Sequence, residues 1–389
     1  MSVDFAAVLG RMVEVRASDV HITPGVPPAM RVNGRITPFK DFPSMTPQDT
    51  REIVYSVLND SQRKRFENER QLDFSYAIPG LARFRVNVFF QRGSISAAFR
   101  LIPQEIKSLE ELGLPAPLAE FTRKPRGFVL VTGPTGSGKS TTLASMVDLI
   151  NREREEHILT IEDPIEFLHR HKRCIVNQRE IGADATDFTT ALRAALREDP
   201  DVILVGEMRD LETISTALTA AETGHLVFAT LHTQSTAQTV DRIIDVFPPH
   251  QQAQVRMQLS IALEGIVTQQ LIETVDGTSR VCASEIMIPN PAIRNLIREG
   301  KTHQIYSALQ TSGAQGMQTM DSHLAQLVRK GSISKAKAEQ RSTVPEELKR
   351  LLGGAPNGAQ AASAGDPIAE SQTGPPPPSG APAAPATMM

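Results

Sequence analysis

The sequence predicts an α/β protein in which helices cover both faces of a parallel sheet, preceded by a smaller α+β module. Three observations predict this class. After Arg126, near-continuous apolar segments such as Val202–Val205 alternate with helical patterns, which is typical of a parallel sheet buried on both faces. Before residue 105, shorter segments such as Phe84–Phe90 alternate apolar and polar residues, as half-buried strands do. A length of 389 residues allows two or three domains with large cores.

Composition and punctuation divide the chain into four parts. From about Pro249 to Leu352 the pattern indicates mostly helices. The last part is rich in Ala, Pro and Gly, so it buries too little apolar surface to fold and is predicted to be disordered. Its run Pro375–Pro378 fits either a polyproline ligand or a plain solvated tail. The predicted parts are an α+β N-terminal domain (1–104), a linker (105–125), a parallel-sheet domain with a helical C-terminal part (126–352) and the tail (353–389).

Charge and cysteine content exclude several classes of protein. The chain has 41 Lys and Arg against 44 Asp and Glu, a net charge of −3, which argues against direct binding to nucleic acid through bulk charge. Cys174 and Cys282 lie too far apart for a CxxC-type zinc site or a disulfide framework. No apolar run is long enough for membrane insertion, and the start reads as an amphipathic helix beginning at Phe5 instead of a secretion signal. We therefore expect a cytoplasmic protein that reaches a membrane only through a partner.

The segment from Gly133 to Ser140 satisfies the pattern GxxxxGK[ST], with an apolar strand before it and a helix after it. Glycines let the backbone fold around phosphate oxygens, and the N-terminal end of the helix favours negative charge. We expect Lys139 to contact the β- and γ-phosphates of a nucleoside triphosphate and Ser140 to bind Mg²⁺. The predicted nucleotide contacts are Gly133, Pro134, Thr135, Gly136, Ser137, Gly138, Lys139, Ser140 and Thr141.

Acidic residues follow two of the predicted strands. Glu207 comes after Val202–Val205, where it suits a magnesium shell, positioning of an attacking water, or an ordinary strand end. Glu162, Asp163 and Glu166 follow an earlier predicted strand, Ile158–Ile161. Three carboxylates so close together indicate either a general base and metal shell or a solvated acidic turn.

Histidines and arginines leave further alternatives. His225 and His232 lie at the two ends of a predicted strand, and each is either a structural group or a contact to the γ-phosphate or another protomer. Arg83 and Arg85 share one face of a predicted strand, so they form either a solvated face or arginine fingers that reach a phosphate.

With these residues in view, the chain resembles the secretion ATPase superfamily and, within it, the type IV pilus retraction ATPases, the family of twitching motility proteins. Ala17–His21 and Ala292–Glu299 also match this family, and the second is the more specific to retraction. The other matching motifs are GPTGSGKS at 133–140 (Walker A), ILTIEDPIEF at 158–167 (Asp-box), LREDPDVILVGEMRD at 196–210 (Walker B) and TGHLVFATLHT at 223–233 (His-box).

The resemblance implies a PAS-like N-terminal domain, a RecA-like ATPase domain and a ring of six copies that binds ATP and Mg²⁺ between the domains. It implies as partners the inner-membrane platform protein of the pilus machine and a retraction ATPase paralogue, with the chain held peripherally at the inner face of the membrane. Two distant cysteines cannot form the four-cysteine zinc module of assembly ATPases. By motif match, the implied functional residues are the Walker B acid Glu207 (also a Mg²⁺ ligand with Ser140), the Asp-box acids Glu162 and Glu166, His225, His232, Arg83, Arg85 and Arg100.

These expectations give a hypothesis of ATP hydrolysis coupled to pilus retraction. Glu166 or Glu207 would activate the attacking water, and domain closure would move rigid units of the ring. Arg294 and Leu296, in the retraction-specific motif, would couple turnover to retraction, although the segment also fits an amphipathic core helix. The alternatives are a small-molecule kinase, for which no acceptor-binding lid is found, and a nucleotide-gated scaffold that hydrolyses little. A nucleic-acid translocase is disfavoured by the charge balance.

Overall fold

The computed structural model describes residues 3–32, 34–103 and 105–353. Apart from Gly353, which ends the last helix, the predicted tail and its proline run lie outside the described residues. Among the helices of the described ranges, none is both long and apolar enough to cross a bilayer.

Within these residues, the N-terminal part is built on a six-stranded antiparallel sheet with the strand order β3-β2-β1-β6-β5-β4. The amphipathic first helix is confirmed, because its apolar residues Leu9 and Met12 are fully buried. The predicted alternation in β5 is also confirmed, because Phe84 and Val86 are buried while Arg83 and Arg85 lie on the opposite face. The elements are α1 (Phe5–Glu14), β1 (Asp19–Ile22), β2 (Ala29–Val32), β3 (Arg35–Pro38), α2 (Pro47–Val57), α3 (Asp60–Glu69), β4 (Gln71–Ile78), β5 (Ala82–Gln91) and β6 (Ser94–Ile102).

The second sheet has the order β13-β12-β7-β11-β10-β8-β9 in the described part of the chain. All neighbouring pairs are parallel except β12 with β13. Its strands are β7 (Gly127–Thr132), β8 (His157–Glu162), β9 (Ile175–Glu180), β10 (Val202–Val205), β11 (Leu226–Leu231), β12 (Leu263–Glu273) and β13 (Arg280–Met287). The helices are α4 (Pro117–Thr122), α5 (Lys139–Glu153), α6 (Phe188–Ala195), α7 (Leu211–Thr223), α8 (Thr236–Asp245), α9 (Pro249–Ala262), α10 (Pro291–Arg298), α11 (Ile305–Thr311), α12 (Met320–Arg329), α13 (Lys335–Arg341) and α14 (Pro345–Gly353).

Both faces of this sheet are covered, as the apolar strands predict. Alternate residues of β7 pack against helices on opposite faces of the sheet. Val129 and Val131 pack with helices α4 and α5 on one face. Phe128 and Leu130 pack with α6 to α9 on the other. The mixed α/β class with a parallel sheet is therefore confirmed.

The prediction of mostly helices after Pro249 is wrong for one segment. Strands β12 and β13 form an antiparallel hairpin, and β12 lies inside the sheet next to β7. Helix α9 ends at Ala262 and β12 begins at Leu263, so no glycine or proline marks the change. Burial on both faces also removes the alternation that identifies half-exposed strands. The predicted linker contains α4, and the predicted domain boundaries stay predictions.

Parallel pairing places the ends of four strands at one edge of the sheet. Strands β7, β8, β10 and β11 run in the same direction. The segments that follow them begin with Gly133, Asp163, Gly206 and His232. Open α/β sheets bind ligands at the carboxyl ends of their strands, so the fold gathers the candidate residues at this edge.

Candidate functional site

The loop between β7 and α5 has a backbone that depends on glycine. The φ angles of Gly133, Gly136 and Gly138 are +137°, +79° and +91°, values that side chains disfavour. A Cβ atom on Gly133 would lie 2.3 Å from the carbonyl oxygen of Gln269. Gly138 precedes α5 without any side-chain cap, so the first turn of the helix keeps N–H groups for an anionic ligand.

Lys139 is held inside this loop. Its Nζ atom donates hydrogen bonds to the carbonyl oxygens of Gly133 (2.9 Å) and Pro134 (3.2 Å) and lies 3.4 Å from Nδ1 of His232. Burial lowers the pKa of Lys139, and the charge of Glu207 partly opposes this effect. Its two loop partners are neutral carbonyls, and among the described residues no carboxylate forms an ion pair with the ammonium, as suits a group that meets phosphate.

The remaining loop residues fit a phosphate group. The Oγ atom of Ser137 is buried and has no hydrogen-bond partner among the described residues, so it can donate to a ligand oxygen. Thr135, Gly136 and Ser140 are exposed at the rim, and Thr141 is half-buried. The loop therefore offers a cradle of amides, hydroxyls and one cation.

Gln269 supports the loop from behind, and the sequence gives no sign of it. This buried side chain, on β12, donates from Nε2 to the carbonyl oxygen of Ser137 at 2.8 Å. Its Oε1 accepts a bond from the Thr142 hydroxyl at 3.0 Å. Gln269 thus ties the loop to the first turn of α5. It was missed because its strand was predicted as helix.

Glu207 and His232 complete a polar chain that begins at Lys139. Nε2 of His232 lies 3.1 Å from Oε1 of Glu207, and Nε of Arg209 lies 2.6 Å from the same oxygen. Burial acts to raise the pKa of Glu207, but hydrogen bonds and charges of Arg209 and His232 lower it overall. Glu207 is therefore a stable carboxylate. If Nε2 of His232 donates to Glu207, Nδ1 is the ring nitrogen that faces Lys139.

Glu162 is buried at the end of β8. Its Oε1 accepts bonds from the Thr160 hydroxyl (2.7 Å) and Gln178 Nε2 (3.1 Å), and its Oε2 accepts the Glu166 backbone N–H (3.4 Å). Burial raises the pKa of Glu162 despite these bonds. These contacts make Glu162 an anchor for the loop after β8, residues 163–169, which we call the acidic loop, since both oxygens of Glu162 are already engaged.

The burial of Glu162 gives a prediction for the pH dependence of stability. The pKa of Glu162 in the folded protein is raised above the ordinary value of 4.5. The wild-type fold is therefore most stable where Glu162 is protonated, and it loses stability as the pH rises through the folded-state pKa and a buried negative charge forms. Glu162→Gln has no carboxyl group at this position and cannot acquire that charge. We expect the free energy of unfolding of Glu162→Gln, relative to wild type, to increase as the pH rises above the ordinary value of 4.5, measured by urea denaturation.

The control is Glu155→Gln. Arg173 lowers the pKa of Glu155, so the wild-type carboxylate stabilises the fold above its unfolded pKa. The relative stability of that variant should fall as the pH rises from about 3 to 5. An unchanged difference for Glu162→Gln at all pH values would contradict the prediction.

The predicted arginines reach different partners. Arg83 donates from Nη2 to Glu180 at 2.8 Å, so it joins the N-terminal sheet to the edge strand β9. Nη1 of Arg85 lies 3.9 Å from Glu166, whose side chain is 48% exposed. Arg100 pairs instead with Asp19 of the N-terminal sheet at 2.8 Å. The structure thus brings Arg83 and Arg85, but not Arg100, to the acidic loop and its neighbouring strand.

His225 is separated from the loop. It precedes β11, whereas His232 follows this six-residue strand, which places them about 20 Å apart. Nδ1 of His225 contacts the carbonyl oxygen of Ala220 at 3.0 Å. This contact is at the end of α7, so within one copy of the chain only His232 joins the site.

Comparisons with known proteins identify the family to which the chain belongs. Residues 5–351 match the model of the family described as type II/IV secretion system protein. The chain is 53% identical to the type IV pilus retraction ATPase PilT of Pseudomonas aeruginosa over 345 residues, 89% of this chain and 100% of PilT. It is also 53% identical to a twitching motility protein of Neisseria gonorrhoeae over 321 residues, 82% of this chain and 86% of that protein.

A solved structure described as the pilus retraction motor PilT with bound ADP superimposes with a TM-score of 0.85 at 52% sequence identity. The match covers 90% of this chain and 99% of that chain. The resemblance read from the motifs is thereby confirmed, and the chain belongs to the type II/IV secretion system protein family.

Proposed function

We propose that this protein is a Mg²⁺-dependent ATPase that drives retraction of type IV pili. One observation carries the proposal: the polar chain from Lys139 through His232 to Glu207 closes the glycine loop at the carboxyl edge of the sheet. The similarity to PilT extends over most of both chains, which favours the same use of this site.

Within the site, the loop Gly133–Thr141 holds the phosphates through its amides, the Ser137 hydroxyl and Lys139. Ser140 and Glu207 would hold Mg²⁺, which when bound offsets phosphate charge. His232 contacts both Lys139 and Glu207, so a movement of one of these side chains would shift His232 and through it the other. His225 stays a proposal from the family resemblance alone.

The acids divide the work. Glu207 is the carboxylate whose charge acts on Lys139, so we assign it to the metal and the orientation of the attacking water. Glu166 is exposed and faces Arg85, which suits acceptance of the water's proton. Arg85 offsets charge that develops during transfer. Arg83 is already paired with Glu180, so its role at the phosphate stays a proposal from the family resemblance. Arg100 is a weaker candidate, since it pairs with Asp19.

The proposed assembly is a ring of six chains that contacts the inner-membrane platform protein of the pilus and works beside a retraction ATPase paralogue. Opening and closing of the N-terminal sheet against the ATPase sheet would convert turnover into movement. The chain would lie in the cytoplasm at the inner face of the membrane.

The test is steady-state ATPase activity of the purified full chain with Mg²⁺, together with its mass in solution with and without ATP. Retraction is measured by optical trapping of pili in cells that carry this gene as the sole copy. Slow ATP turnover, a hexamer and retracting pili are expected. Absence of ATP hydrolysis, or transfer of phosphate to a small molecule instead of water, would overturn the proposal.

Helix α10 gives a prediction about coupling. Arg294 donates to the carbonyl oxygens of Ser260 and Ile261 at the end of α9, so alanine there disturbs the fold. Leu296 is only partly buried. We expect Leu296→Ala to keep ATPase activity within about twofold while retraction events fall at least about fivefold. Leu351→Ala, at another half-buried leucine, is the control, and retained retraction in Leu296→Ala would remove α10 from the mechanism.

A further inference from the structure

Strand β9 ends beside the acidic loop, and its last residue is a carboxylate that no motif identifies. Glu180 of β9 is paired in register with Glu162 of β8. Neighbouring residues of parallel strands point to the same face, so two carboxylates lie side by side at this edge. Both are almost fully buried, with exposed fractions of 4% and 9%.

One oxygen of Glu180 accepts hydrogen bonds from three donors, two in the N-terminal sheet and one in the acidic loop. Its Oε2 accepts Arg83 Nη2 at 2.8 Å and the Ser75 hydroxyl at 2.8 Å, both from the N-terminal sheet. It also accepts the backbone N–H of Ile165, in the acidic loop, at 3.1 Å. Glu180 is thus one residue that both the N-terminal sheet and the acidic loop contact.

Glu162 and Glu180 together hold consecutive amides of that loop. Glu162 accepts the N–H of Glu166, and Glu180 accepts the N–H of Ile165. Gln178, two residues before Glu180 on β9, donates to Glu162 and to the carbonyl oxygen of Phe167. The backbone on both sides of Glu166 is therefore fixed by side chains of β8 and β9.

We propose that Glu180 is a positioning residue for ATP hydrolysis: it sets the place of Glu166 and makes that place depend on contact of Arg83 and Ser75 with β9. The inference rests on the proposed function, because it assigns the acidic loop to the reaction. If the N-terminal sheet moves away, Glu180 loses its ion pair with Arg83 and its hydrogen bond from Ser75.

A buried carboxylate without its cation is costly, and it is relieved by protonation or by movement toward water. Either change weakens the bond to the Ile165 N–H, and Glu166 loses its fixed position. Small displacements of a catalytic group lower kcat strongly. Loss of the contacts of Arg83 and Ser75 with Glu180 should therefore lower the rate of ATP turnover.

The experiment uses the full chain with the variants Glu180→Gln, Arg83→Gln, their double variant and Ser75→Ala. We expect kcat to fall about tenfold in Glu180→Gln, with KM for ATP within about twofold of wild type. Ser75→Ala should lower kcat about two- to threefold. The double variant should be no slower than the slower single variant, because both changes act on the same contact. Glu180→Asp, which keeps the charge, should recover part of the loss.

The matched control is Glu198→Gln. Glu198 pairs with Arg179, the neighbour of Glu180 on the opposite face of β9, at 2.8 Å. This change removes an ion pair from the same strand without touching the acidic loop. Its kcat should stay within about twofold of wild type.

Hydrogen–deuterium exchange of the peptide 163–169 supplies a readout that does not need activity. Faster exchange is expected in Arg83→Gln and Ser75→Ala, which lie in the other sheet and remain informative if Glu180→Gln fails to fold. Unchanged exchange, or additive losses of kcat in the double variant, would overturn the positioning role. A wild-type chain without ATPase activity would instead contradict the proposed function, and the exchange data would still decide the contact.

Discussion

Lys139→Ala abolishes ATP turnover: we expect kcat to fall at least about a thousandfold. The ammonium is the cation of the glycine loop, held by the carbonyl oxygens of Gly133 and Pro134. Without it, charge on the transferred phosphoryl group has no fixed counter-charge inside the loop. ATP binding should weaken as well, and both are measured by a coupled ATPase assay and by titration with a fluorescent ATP analogue.

Lys335→Ala is the matched control, because Lys335 is also the first residue of a helix but is exposed. It should keep wild-type turnover. Pilus retraction should stop in cells with Lys139→Ala and continue with Lys335→Ala. Appreciable hydrolysis by Lys139→Ala would show that the site lies elsewhere.

Glu207→Gln should lower kcat about a hundredfold or more while ATP still binds. The substitution keeps the shape of the side chain and removes the negative charge that Arg209 and His232 stabilise. Loss of that charge removes the proposed carboxylate contact to Mg²⁺ and the orientation of the attacking water. Single-turnover kinetics with saturating ATP separate this loss from a loss of binding.

Its control is Glu212→Gln, since Glu212 is exposed and pairs only at the surface with Arg193. Surface pairs of this kind contribute little, so kcat should stay within about twofold. If Glu207→Gln hydrolyses ATP as fast as the control, Glu166 alone must serve the attacking water.

The sequence predicts most of the ATPase sheet because its strands are short, apolar and separated by capped helices. Asp187 and Asp210 precede α6 and α7 and accept backbone N–H bonds from Thr190 and Thr213, and aspartate at such a position is a helix-start signal that a sequence carries. Strand β9, Ile175–Glu180, was missed because its residues are mainly polar and it lies at the edge of the sheet. Edge position and burial are properties of the assembled sheet, which local patterns do not contain.

The residues of the candidate site also fall into two groups, those that the sequence predicts and those that only the fold brings together. Lys139 and Glu207 follow strands whose direction is implied by the βα alternation, so their meeting was predictable. His225 and His232 are similar in sequence context, yet a strand carries them to opposite edges. Gln269 and Glu180 come from strands that were not predicted, and they act through contacts distant in sequence. Only the folded chain reveals such supporting residues.

The hairpin of β12 and β13 has a mechanical consequence. Gln269 of β12 donates a hydrogen bond to the nucleotide loop. The second strand of the hairpin, β13, ends at Met287, shortly before α10 begins at Pro291. A hydrogen-bonded β-hairpin resists stretching along its strands, so the hairpin connects the nucleotide loop mechanically to the C-terminal helices. Gln269 is paired in register with Ser284, three residues before Met287, so a shift of the nucleotide loop would reach the start of α10 over about 10 Å of strand. Spin labels on the loop and on α10 would measure that shift as a change in their distance.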